Sequence, residues 1–424
     1  MRLPLFLWSC LVGVCVASLS VASFSRAADT PAAPLPASTR EALQDLMGEY
    51  VGEVSGGLSA DRPISLQIRA TPAATLEGFL LIGGLPGAGW NGFARVPVTG
   101  GVVDGIATVR NTTYEIRIDR GGFGSVRYTY GRTEIGRVRK VLRTSPTLGL
   151  CPPCEAIRLF DGRDTLNFKN GRISPEGNLM VGAETLGAWQ DFHLHVEFRT
   201  PFMPEALGQA RGNSGIYLQN RYEVQILDSF ALPGMDNDCG ALYRQRKADV
   251  NMSLPPLSWQ TYDIEFRAAR FDASGRRCEP ARICVMHNGV VIHNHVELST
   301  KTGGGAAEGP IALPIKFQDH GNAVEFRNVW LIDRCAPVCC VPCCDPCCTT
   351  CCQTCCVRPR CCAVPVCQSC LAATAPADGL SVALGLKNAG TTRTATRTAL
   401  VGLTTDEDEF ANQRLLQLAD AARD

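Results

Sequence analysis

DFHLHVEFRT, residues 191–200, decides the fold class. Phe192, Leu194, Val196 and Phe198 fall on one side of an extended chain, and His193, His195, Glu197 and Arg199 fall on the other. A period of two over nine residues is the mark of a strand with one apolar face, not of a helix. RYEVQILD (221–228) repeats it, with Val224 and Ile226 on the face that must join a core and Glu223 and Gln225 opposite. In MHNGVVIHNHV (286–296) Asn288-Gly289 stands between two apolar runs, a strong two-residue hairpin signal. These stretches predict an antiparallel β sandwich over residues 155–333.

Upstream, SLQIRA (65–70), GFLLIGG (78–84), TYEIRID (113–119) and VRYTYG (126–131) are short alternating runs separated by glycine pairs. They predict a smaller β domain over 40–145, in which no chemistry is legible. Its GGLPGAGW (83–90) lacks a following helix pattern and a Lys-Ser/Thr, so it reads as a turn holding Trp90 and not as a phosphate loop. Residues 28–39 are a Pro/Ala-rich linker leading into a short amphipathic stretch, Arg40–Met47.

The charge count excludes one partner class. Lys and Arg total 41 and Asp and Glu total 41, so the basic excess of a nucleic-acid binder is absent. The first 27 residues have the order of a secretory signal: Arg2, an apolar run from Leu3 to Val21, and a small-residue exit at Ser25-Arg26-Ala27. Export to the periplasm, cell surface or medium is the expectation, and with Cys10 and Cys15 lost in the signal it gives the remaining 20 cysteines an oxidising setting. Cys151 and Cys154 have C-x-x-C spacing, but AIRLFDG follows as a strand and supplies no helix N-terminus to lower a thiol pKa; a linker disulfide is expected. Cys278 and Cys284 are expected to close a loop as a second disulfide.

Between Cys335 and Cys370 lie 15 cysteines, five pairs of them in a strict CCxx repeat from 339 to 356. That register suits either disulfides within or between chains, or thiolate pairs gripping zinc or Cu(I). Because 15 is odd, this tail (335–370) cannot pair wholly within itself. An Ala/Thr/Gly-rich linker (371–405) and a short amphipathic helix (406–424), with acids first and arginine later, complete the chain.

LFDGRDTLNF (159–168), GNSGIYLQNRYEVQILDS (212–229), GALYRQ (240–245), WQTYDIEFRAARF (259–271), HNGVVI (287–292) and GPIALPIKFQDHGNAVEFRNVWL (309–331) occur in the order of the 3-keto-disaccharide hydrolase family, which this segment resembles. Two departures stand out: Phe168 replaces the usual Trp closing the first motif, and ALPIKF lengthens the approach to Gln318-Asp319-His320-Gly321. The resemblance implies a concanavalin A-like sandwich that cleaves 3-keto glycosides. A C3 ketone acidifies the C2 proton, the enolate expels the C1 oxygen, and water later adds across the double bond. Such chemistry needs a base, an acid for the leaving oxygen, and a donor or cation for the enolate oxygen.

The matching motifs offer those groups. Strand periodicity puts Glu223 with Gln225, and Lys316 with Gln318 and His320, each set on one polar face. His320, whose imidazole suits proton transfer, and Glu223 are the expected catalytic pair. Gln225, Gln318, Lys316, Asn213, Tyr217 and Asp228 are the expected sugar contacts, Asp228 and Asn213 having turn roles as the alternative. A divalent ion (Mn, Fe or Zn) held by Glu223 and His320 is a further expectation. His193 and His195 have the i, i+2 geometry of metal ligands but lack a third, and are expected to face solvent. The competing function is a non-catalytic carbohydrate-binding module on a disulfide-linked surface protein, since sandwiches of this type serve both ends.

Overall fold

Alternation along the first half of the chain closes on itself. The computed structural model describes residues 34–335 apart from 57–58, 93–94 and 132; the signal-like segment, most of the tail and the C-terminal helix expected from sequence lie outside them. Strands β1 (Gly48–Gly56), β2 (Ser59–Ala70), β3 (Leu76–Ile82), β4 (Arg95–Val103), β5 (Ile106–Arg110), β6 (Tyr114–Ile118), β7 (Phe123–Tyr128) and β8 (Glu134–Val141) pair antiparallel in order. β8 returns to β1 with Glu49 opposite Val141, making a closed barrel without a free edge. Inward residues such as Leu66, Ile68, Val109, Ile116 and Val126 are wholly buried in one apolar cluster. Leu43 and Leu46 of helix α1 (Ala37–Leu46) join the same cluster, as do Phe202, Phe230 and Ala231 from the second half.

The second half is the antiparallel sandwich. One sheet has the order β10 (Phe168–Lys169), β12 (Glu184–Ala188), β21 (Pro314–Phe317), β14 (Ser214–Leu218), β15 (Tyr222–Ile226). The other runs β11 (Leu179–Met180), β22 (Glu325–Asp333), β13 (Asp191–Arg199), β16 (Gln260–Arg267), β19 (Ala281–His287), β20 (Val290–Leu298), with β9 (Ile157–Phe160) also paired to β22. Phe192, Leu194, Val196 and Phe198 meet Ile216, Val224, Ile226 and Phe317 in a single core between the sheets. Asn288 (φ 51°) and Gly289 (φ 76°) form the turn between β19 and β20; both need left-handed backbone, which Asn-Gly supplies at little cost.

A buried ion pair joins the two halves. Arg211 donates from Nε to Asp228 Oδ2 at 2.7 Å and from Nη1 to the carbonyl of Ala70, at the end of β2, at 2.8 Å. Both side chains are wholly buried. On the rim, Arg40 binds Glu205, and Arg143 binds Glu49.

The polar side of β13 is not solvent-facing, contrary to expectation. The connector after β8 lies across it, so His195 and Glu197 are only 0% and 1% exposed. His195 Nδ1 sits 2.6 Å from Asp263, whose other oxygen accepts from Thr147 at 2.7 Å. Glu197 accepts from the Gly149 N–H (2.6 Å), Asn328 (2.9 Å) and Arg327 (2.7 Å), and lies 3.8 Å from His195 Nε2, too far for a hydrogen bond. Burial alone would lower the His195 pKa, but Asp263 and Glu197 lift it to about 9; burial likewise opposes ionisation of Glu197, yet its donors hold it at about 2. Protonated His195 therefore stabilises the fold fully below pH 6.5, and that contribution disappears as pH rises through about 9. The Glu197 contribution is full above pH 4.5 and disappears as pH falls through about 2. Wild-type protein should lose on the order of 3 kcal/mol in denaturant melts between pH 6 and pH 9.5 that His195→Gln does not lose. Parallel pH profiles for the two proteins would show that His195 is not charged.

Neither expected disulfide forms. Cys278 lies exposed in β18 (Arg277–Glu279), which pairs only with β17 (Arg270–Phe271), while Cys284 is half-buried on β19 opposite Glu265. They belong to different sheets, and both are thiols. Cys151 is disulfide-bonded, but not to Cys154. Burial raises the third sandwich thiol, Cys239, to about 11. Native protein treated with a maleimide should be labelled at Cys278 quickly and at Cys239 only after unfolding. Mass mapping that finds Cys278 and Cys284 unlabelled and linked would restore the expected bridge.

Candidate active site

The outer face of the five-stranded sheet gathers the polar groups. On β15, Tyr222, Val224 and Ile226 point to the core, so Glu223 and Gln225 must project from the opposite face. Register places Glu223 directly beside Tyr217 on β14, and Tyr217 beside Lys316 on β21. The Tyr217 side chain stands across from Glu223 on the same face, and Lys316 Nζ lies 5.7 Å from the Tyr217 ring centroid.

Glycine makes room for that carboxylate. A Cβ on Gly215 would stand 2.3 Å from Glu223 Oε1, so only a residue without a side chain lets the acid lie flat over β14. Residues 301–305, KTGGG, come over the pair: Thr302 Oγ1 accepts the Glu223 N–H at 2.9 Å, and a Cβ on Gly304 would come 3.0 Å from the Tyr217 hydroxyl. Glu223 is 3% exposed and Tyr217 5%. Burial pushes the Glu223 pKa up to about 7, against the opposing pull of Tyr217 and Lys316. Burial and the neighbouring Glu223 raise that of Tyr217 well above the usual phenol range. A carboxyl half-ionised at neutral pH, a phenol hydroxyl on the neighbouring strand and a cation on the next form an acid–base set.

The amides complete the site. Gln225 Nε2 donates to Gln209 at 3.0 Å and Asn213 at 3.4 Å, while its Oε1 is buried with no donor. Gln318 Oε1 is likewise buried without a donor, and the Gln318 backbone N–H donates to Gly215 at 2.8 Å. Gln225 on β15 and Gln318, just past the end of β21, thus each keep one buried acceptor without a donor.

A family profile described as the 3-keto-alpha-glucoside-1,2-lyase-like domain matches residues 155–332. The sandwich belongs to that family. A candidate glycosyl hydrolase of Parabacteroides distasonis ATCC 8503 is 31% identical, with TM-score 0.39, over 42% of this chain and 84% of its own. Two further structures of the same description and organism are 17% and 19% identical, with TM-scores 0.32 and 0.30; the chain covers 98% of each, using 46% and 42% of its own length. No curated protein matches the chain significantly. The family match makes the lyase-like domain one of carbohydrate-active type.

Other residues singled out from sequence lie elsewhere in the lyase-like domain. β21 ends at Phe317, so His320 does not share the strand face of Lys316; it stands exposed in the bend that follows. Asp228 is sealed against Arg211 and serves the junction with the barrel. Asn213 accepts from Gln225 and donates to Gln209, holding the amide cluster together. Among the described residues no three His, Cys, Asp or Glu side chains gather as a metal would require. With Glu223 buried beside Tyr217 and His320 in an exposed bend, the expected donor pair does not fit a metal. Gly215 and Thr302 were not legible as site residues, because a glycine's role under a cross-strand acid and a loop some eighty positions away leave no local pattern.

Proposed function

We propose that the lyase-like domain cleaves 3-keto glycosides, with Glu223 as the base. The observation that supports this reading is the Glu223 carboxyl itself, laid over Gly215, in register with Tyr217 and Lys316 and held near neutrality. Its carboxylate takes the C2 proton. The C2–H electron pair delocalises into the C3 ketone, and the Lys316 ammonium steadies the enolate oxygen. The enolate then collapses to a C1=C2 double bond and expels the C1 glycoside oxygen. Tyr217 relays the proton from Glu223 to that oxygen as it leaves. Water next adds its oxygen to C1 and its proton to C2, so the sum is hydrolysis and the released sugar keeps its ketone. The orphaned Gln225 and Gln318 oxygens accept ring hydroxyls.

The signal-like N-terminus supports the reading that the chain is exported and acts outside the cytoplasm. The test is turnover of a panel of 3-keto disaccharides beside their unoxidised parents. Cleavage of the keto sugars alone is expected. Binding of unmodified glycans with no turnover of any keto sugar would assign the sandwich to recognition instead.

A further inference from the structure

The catalytic row extends beyond the groups that do chemistry. Register sets Lys169 on β10 opposite Glu184 on β12, Glu184 opposite Lys316 on β21, Lys316 opposite Tyr217, and Tyr217 opposite Glu223. The core-facing neighbours Phe168, Phe317, Ile216 and Val224 fix all five on the outer face. With strands about 4.8 Å apart, the row is roughly 19 Å long, each step close to the length of one pyranose ring.

Exposure changes steadily along it. Glu223 and Tyr217 are buried, Lys316 and Glu184 are half-buried, and Lys169 is exposed. The Glu223 end is closed on two sides. Residues 301–305 cover it from above, and segment 240–243 bonds along the outer edge of β15, with Gln225 N–H donating to Ala241 O and Tyr243 N–H to Glu223 O. The other end has no such cover, and Leu186, 66% exposed, projects from the same face of β12 as Glu184. Among the described residues Lys169, Glu184 and Lys316 form no ion pair within 4 Å, although they alternate in charge across adjacent strands. Their heads stay available to hydroxyl groups, which both donate and accept.

We propose that the site is exo-acting on oligosaccharides: the oxidised ring is the chain's terminal residue, seated against Glu223, and the leaving sugars run outward over Lys316, Glu184 and Lys169. This rests on the 3-keto glycoside reading. The closed end leaves no path for a chain to continue past Glu223, so an internal oxidised ring cannot reach the base. Glu184 and Lys169 then set specificity for the leaving group through polar contacts, with Leu186 meeting the C–H face of a ring.

Full-length protein would be assayed on an aryl 3-keto glucoside, on a glucotriose oxidised at its terminal non-reducing ring, and on one oxidised at its middle ring. Terminal oxidation should support cleavage, and middle-ring oxidation should give at most about a hundredth of that rate. In Glu184→Ala and in Lys169→Ala, kcat/KM for the trisaccharide relative to the aryl glucoside should fall about tenfold, through KM. Comparable cleavage of the two trisaccharides, or an unchanged ratio in both variants, would overturn exo action while leaving the chemistry standing. Absence of turnover on all three substrates would overturn both readings together.

Discussion

Glu223→Gln is expected to lower turnover of a 3-keto glucoside by roughly 10²- to 10⁴-fold, the usual cost of losing a positioned acid or base. The same substitution should make the protein more stable at pH 8. Burial holds the carboxyl near 7 in the folded chain against an ordinary 4.5, so folding must suppress its ionisation. That cost is absent below pH 4.5, grows as pH rises, and is complete above about 7. A neutral amide of the same shape removes it, for a gain of roughly 1–3 kcal/mol at pH 8 and none at pH 4. The wild-type rate should climb with pH through an apparent pKa near 7, as the base ionises. His320→Ala, in its exposed bend, should cost less than about tenfold. If His320→Ala proves the crippling variant and Glu223→Gln retains its rate, the base has been placed on the wrong residue.

Arg211→Ala should destabilise the chain by about 3–5 kcal/mol, because it leaves Asp228 wholly buried without the guanidinium that hydrogen-bonds it. The loss reaches both halves, since Arg211 also holds the Ala70 carbonyl at the end of β2. Arg211→Met combined with Asp228→Leu should recover most of it, as paired removal of buried charges commonly does. Denaturant melts of the two single variants and the double variant would measure the coupling. If the three effects simply add, the pair contributes no interaction of its own.

Periodicity made the local structure legible and left long-range pairing invisible. The two-residue alternation of 191–200 and 221–228 identified the strands and the face of Glu223 and Gln225, because which side is apolar is a property of neighbours in sequence. Closure of the barrel depends on Val141 meeting Glu49, and no local pattern marks that meeting. Cysteine spacing failed for the same reason: six positions separate Cys278 from Cys284, but the strands that carry them enter different sheets. His320 was misplaced by extending a strand rule three residues past Phe317, where β21 ends and the chain bends. His195 looked wet because the connector that packs onto its partners Asp263 and Glu197, residues 147–149, lies before the domain in sequence, whereas His193 is part-buried against Glu265 and Trp330.

That connector bears on whether the lyase-like unit can be transplanted. The family match begins at 155, yet Thr147, Gly149 and Leu150 supply hydrogen bonds to Asp263, Glu197, and both Asn328 and Trp330. A sandwich cut at the family boundary would bare a His-Asp-Glu cluster that its natural chain keeps dry. Recombination that moves this enzyme between architectures must therefore carry the ten residues upstream, and the inherited unit is longer than the part that resembles its relatives.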